Sequence, residues 1–162
     1  MAYLLDANVF IQAKNLHYGF DFCPAFWDWL IDKNASKLVF SIEKVGDELA
    51  IYRDELTLWA AKLGSGFFLK TGATVLPFLS QVSNWVTSQQ YTPAAVNTFL
   101  QGADLFLIAN ALALNYTVVT REVISDGRTK IKIPNVCIGL NVKCVSPFYM
   151  LRYEQAKFIL ER

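Results

Sequence analysis

Histidine is almost missing from this sequence, His17 being the only one. That rules out a histidine cluster for a metal. Cysteine does not replace it, because Cys137 and Cys144, with six residues between them, and the distant Cys23 fall in no zinc-binding spacing. Three thiols in such a pattern are expected to be free in a reduced cytosol. Charge is scarce too. Charged residues make up 18% of the chain and the net charge is +1, so an anionic partner would have to be drawn by a local patch. No apolar run approaches the roughly 18 residues of a membrane span, and no basic leader precedes an apolar segment at the start. A cytoplasmic protein without a membrane partner is expected. Repeats, low-complexity tracts and linkers are also missing. With 54% hydrophobic residues in a chain of 162, the expectation is one well-cored domain over residues 1–162.

The residues that are present alternate short apolar runs with amphipathic segments. Strands are predicted at 2–5, 37–40, 116–120 and 136–140, with a short edge strand at 67–69. Helices are predicted at 8–15, 24–33, 74–89 with Pro77 in the first turn, 93–101 behind the cap Thr92, 105–114, and from Ser146-Pro147 to about 160. Phe26, Trp27, Trp29 and Leu30 are assigned to the core. A long helix is expected from Ile42, capped by Ser41 and striped by Ile42, Val45, Leu49, Tyr52, Leu56, Trp59 and Leu63. Glu43, Asp47 and Asp54 fall opposite the stripe, in solvent. Glu48 lies about 60° from its centre, on a flank that can reach a cleft. The segment Leu105 to Leu114 is apolar nearly all round and so belongs in the middle of the molecule.

This order implies an α/β fold with a mainly parallel sheet, whose functional crevice lies at the carboxyl ends of the strands. Asp6 follows the first strand and Glu122 follows the strand ending at Thr120. Asp104 opens the apolar helix, and Glu48 sits on the flank of its own. Carboxylates gathered in one crevice repel, and a hard divalent cation such as Mg²⁺ or Mn²⁺ relieves the repulsion. A carboxylate-held ion suits phosphodiester hydrolysis. Arg121, Arg128, Lys130 and Lys132 form a local basic stretch that either leads a nucleic-acid strand in by charge or is a solvated loop.

Four blocks resemble the PIN-domain ribonucleases, a family that includes the VapC toxins of toxin–antitoxin pairs. They are Leu4-Leu5-Asp6-Ala7-Asn8-Val9-Phe10-Ile11, Ser41 to Leu49 with Glu48-Leu49, Ala103-Asp104 followed by Leu107-Ile108-Ala109 and Ala111, and Val118-Val119-Thr120-Arg121-Glu122. The ending Lys132-Ile133-Pro134-Asn135-Val136-Cys137 is similar to one PIN-like branch. The resemblance implies a three-layer, Rossmann-like α/β/α sandwich and Mg²⁺- or Mn²⁺-dependent endonucleolytic cleavage of RNA. Asp6, Glu48, Asp104 and Glu122 inherit the catalytic, metal-binding roles, with Asn8 and Thr120 in support. It also implies an antitoxin partner and is compatible with a homodimer.

The last acid is Glu122 where most PIN domains have Asp, and Asp126 is the alternative for that position. Two other readings stay open: a PIN-fold module that binds RNA or protein without cutting, and a carboxylate–Mg²⁺ nuclease acting on DNA. Phosphatases of the haloacid dehalogenase type need a second Asp two residues after the first, and here that residue is Asn8.

Overall fold

Tyr3, Leu4 and Leu5 have no solvent exposure, because they form the central strand of the sheet. The computed structural model describes residues 1–161. The strands are β1 (Tyr3–Leu5), β2 (Val39–Ile42), β3 (Phe68–Leu69), β4 (Thr117–Val119) and β5 (Cys144–Val145). They are ordered β3-β2-β1-β4-β5 and every pairing is parallel. The register sets Tyr3 beside both Val39 and Thr117. The helices are α1 (Ala7–Gln12, continued by a π-turn over Ala13–His17), α2 (Pro24–Ala35), α3 (Glu43–Ile51), α4 (Glu55–Ala61), α5 (Leu76–Ser88), α6 (Pro93–Gln101), α7 (Ala103–Leu114), α8 (Ile133–Gly139) and α9 (Pro147–Tyr153).

Two helical layers enclose the sheet. α7 lies on β2 and β4 with α5 and α8 packed around it, and α2 packs on β2. α7 is buried as its composition predicts, with Leu107, Ile108 and Ala109 fully enclosed. Phe26, Trp27 and Leu30 are core residues, while Trp29 sits at its margin. No single helix among the described residues is long and apolar enough to cross a membrane.

The chain builds outward through β1, β2 and β3, then returns to lay β4 and β5 on the other side of β1. The reversal falls between β1 and β4, and open α/β sheets bind ligands at this switch point, outside the carboxyl ends of the strands. β2 runs directly into α3, so α3 begins at that edge. α7 leads back to the amino end of β4 through the left-handed cap Asn115, so its own amino end lies at the same edge.

Several sequence expectations are corrected. Ser41 is not a cap but a buried β2 residue, whose hydroxyl donates to the Leu5 carbonyl at 2.6 Å. The long helix from Ile42 is two helices, because Arg53 is left-handed (φ 51°) and Asp54 starts α4 with a capping box to Thr57. Tyr52, read as part of the stripe, is therefore 58% exposed. Asp54 is not free in solvent, since it also pairs with Lys14 at 2.7 Å. Residues 136–140 lie mostly in α8, with Pro134 in its first turn, and the fifth strand is Cys144–Val145. α9 stops at Tyr153, before the left-handed Gln155 (φ 55°). Glu154 there accepts a hydrogen bond from the Tyr3 hydroxyl at 2.7 Å.

The end of α8 is tightly seated. A Cβ on Gly139 would overlap the indole ring of Trp85 in α5. Gly139→Ala is expected to destabilise the protein by about 1–3 kcal/mol through overpacking, measured as a lower urea midpoint at unchanged slope.

Candidate active site

Asp6 leaves β1 at its carboxyl end, and its backbone N–H still donates to Val119 of β4 at 2.9 Å. The side chain is 6% exposed and held from two sides. The Ala7 N–H donates to Oδ1 at 2.7 Å and the Thr120 hydroxyl to Oδ2 at 3.0 Å. Thr120 is itself fixed, accepting from Asn8 Nδ2 at 3.2 Å and from the Glu122 N–H at 3.1 Å. The Arg121 N–H donates to Asn8 Oδ1 at 3.1 Å. Asn8 and Thr120 thus lock the first acid to the segment that carries the last.

Glu122 turns back over the crevice, where the Ile133 N–H at the start of α8 donates to its Oε2 at 3.0 Å. A carboxylate at a helix amino end is favoured by the free N–H groups there. Asp104 sits in the first turn of α7, whose cap Gly102 has no side chain to offer. Glu48, half-buried on α3, faces the same space. Glu48, Asp104, Glu122 and Lys130 together line a crevice of about 430 Å³.

The acids act on one another across this space. Burial pushes the Asp6 carboxyl up to about 8, aided by Asp104 and Glu122 and opposed by the hydrogen bonds from Thr120 and Ala7. Burial also lifts Asp104 to about 7, with Glu122 and Glu48 adding to the rise and Lys130 and Lys132 opposing it. Glu48 is raised by burial alone. Among the described residues, no three Asp, Glu, His or Cys side chains are close enough together to hold a metal ion as they stand. Glu48, Asp104 and Glu122 line one space, and Asp6 is buried near enough to feel the charges of Asp104 and Glu122. Their oxygen-only character and a repulsion that Lys130 and Lys132 offset only in part fit a hard divalent cation.

The basic stretch divides. Lys130 is at the crevice, and Lys132 is near enough to bias Asp104. The Arg121 guanidinium instead lies over the Phe148 ring, 5.2 Å from its centroid. Arg128 is exposed, and its carbonyl accepts from the Thr92 N–H at 3.0 Å. Asp126 is exposed and does not line the crevice. The sequence reading missed the seat of Glu122 on α8. The available signal was Pro134, which suits the first turn of a helix better than a strand.

An open parallel sheet between two helical layers, with acids at its switch point, is a PIN-like α/β/α fold. A chain in the crystal structure of VapBC2 from Rickettsia felis bound to a DNA fragment from their promoter shares it, with a TM-score of 0.56 at 14% identity, over 90% of this chain and 98% of that one. Within that fold class, the chain belongs to the family described as "Domain of unknown function (DUF4411)", whose profile matches residues 3–158. No curated protein matches it in sequence.

Proposed function

We propose that this protein is a divalent-metal-dependent endoribonuclease and the toxin of a cytoplasmic type II toxin–antitoxin pair. The observation that carries the catalytic part is the crevice lined by Glu48, Asp104 and Glu122, with the buried Asp6 beside it, whose carboxyl is raised by burial and by the charges of Asp104 and Glu122. The likeness to a VapBC complex supports the antitoxin partner.

In this reading Asp6, Glu48 and Asp104 hold Mg²⁺ or Mn²⁺, and Glu122 completes the set. When bound, such an ion supplies positive charge for the phosphate and a lowered pKa for the attacking water. Thr120 and Asn8 keep the Asp6 oxygens in one orientation, so that no reorganisation is needed when substrate arrives. The bond from Ile133 holds one Glu122 oxygen and directs the carboxylate over the crevice. Lys130 attracts the phosphate backbone.

The test is incubation of the purified protein with single-stranded RNA and DNA in Mg²⁺, Mn²⁺ or EDTA. Endonucleolytic RNA fragments are expected with either metal and none with EDTA. Either ion should also raise the melting temperature by several degrees at saturating concentration. Cleavage of DNA alone would overturn the substrate assignment. No cleavage and no metal-dependent shift would leave a non-catalytic binding module.

A further inference from the structure

Behind the acids the crevice continues as a slot between α6 and the segment 129–131. The whole crevice, acids and slot together, measures about 430 Å³, in the range that encloses a small ligand, roughly 300–1,000 Å³. The α6 wall is made of small residues, Ala94, Ala95 and Thr98, with Phe99 beside them. Ala94 and Thr98 are exposed and stand one turn apart, and the Thr98 hydroxyl is turned back onto the Ala94 carbonyl at 3.0 Å. The wall is therefore smooth and largely apolar.

The opposite wall is built in advance. The Ser125 N–H donates to Asn135 Oδ1 at 3.1 Å, and Asn135 Nδ2 donates back to the Ser125 carbonyl at 2.8 Å. The Thr92–Arg128 bond ties the same loop to the amino end of α6, and Ile131 is buried beneath it. This arrangement brings Lys130 to the slot, and Lys130 forms no salt bridge among the described residues. An apolar slot with acids at one end and a free ammonium on its wall matches the parts of a nucleotide. A base has an apolar face, and its neighbouring phosphates are anionic.

We propose that this slot receives one unpaired nucleobase of the RNA strand beside the cleaved phosphate, while Lys130 pairs with a flanking phosphate. The substrate class is then single-stranded RNA, since bases in a duplex are stacked and paired and cannot enter a slot. This rests on the nuclease reading above.

The test uses the full-length protein, a fluorescent mixed-sequence single-stranded oligoribonucleotide and its duplex. Ala94→Leu/Thr98→Leu fills the slot from two exposed helix positions where Leu is a good helix former. It should bind the single strand about tenfold more weakly than wild type, with an unchanged circular dichroism spectrum and melting temperature. Lys130→Gln should lower the salt dependence by about 0.7 of a log unit per log unit of salt, one phosphate contact on a single strand. Duplex should bind poorly to all of them. In wild type, a 4-thiouridine oligonucleotide should photo-crosslink to residues 94–99 or 129–131. A Leu pair that binds and cuts like wild type, or crosslinks confined to other segments, would overturn the slot while leaving the nuclease standing. A wild type that cuts no RNA in Mn²⁺ would remove the nuclease reading, whatever it binds.

Discussion

Asp6→Asn is expected to abolish RNA cleavage, by roughly a thousandfold or more, while making the metal-free protein more stable. The two effects share one cause. Folding buries Asp6 among other acids and moves its pKa from 3.8 to about 8. Between those values the folded chain keeps a proton that the unfolded chain releases, so stability falls as pH rises through the window. Below about 4 both states are protonated and the penalty vanishes; above about 8 it is complete. Asparagine removes the charge and with it the penalty, on the order of a few kcal/mol. Part of this gain is lost, because an amide cannot accept from both Ala7 and Thr120 as the carboxylate does. Calorimetry in EDTA should therefore show the variant melting above wild type at pH 8, with the gap closing toward pH 4. A gap that ignores pH would mean that charge burial is not what the site stores.

This trade of stability for a charged crevice is common at sites built for a ligand the bare chain lacks. The wild type should regain stability when a divalent ion offsets the repulsion, and Asp6→Asn should gain little from the same ion. The comparison separates a structural role of Asp6 from a role in binding, since a structural acid would be missed equally with and without metal.

Much of this arrangement is legible without coordinates, for physical reasons that differ by residue. Asp6 stands out because a carboxylate directly after three buried apolar residues has to emerge at a strand end. Thr120 and Glu122 stand out for the same reason after Thr117–Val119. Asp104 is marked by the apolar helix it opens, which can only lie in the core. What could not be read depends on contacts between distant segments. Ser41 has the chemistry of a cap, but the Leu5 carbonyl on the neighbouring strand claims its hydroxyl. Residues 136–140 are a short apolar run that suits a buried strand or a buried helix equally by period. β5 has two partly exposed residues, too few to show a pattern. The break at Arg53 was within reach, because Asp54 and Thr57 have capping-box spacing, but an unbroken apolar stripe outweighed it.

The break bears on the choice of Glu48 over its neighbours, the second large effect expected. Of the seven stripe residues only Val45 and Leu49 lie in α3, since Ile42 ends β2 and the four from Tyr52 to Leu63 fall past Ile51. Glu48 survives the correction because Val45 and Leu49, which set the phase around it, lie within α3 and are fully buried. Less than two turns of helix then distribute three acids to two places. Glu48 lines the crevice with Asp104 and Glu122. Glu43 and Asp47 line a separate groove of about 250 Å³ against α4 and β3. Glu48→Gln keeps size and polarity but loses the charge, and is expected to lower cleavage about a hundredfold. Glu43→Gln and Asp47→Asn remove the same charge from exposed positions of the same helix and should stay within about twofold of wild type. Rates of RNA cleavage for the three variants at saturating Mn²⁺ decide the matter. Equal losses would show that the negative field of α3 matters rather than any one carboxylate, whereas a loss confined to Glu48 ties activity to the crevice it lines with Asp104 and Glu122.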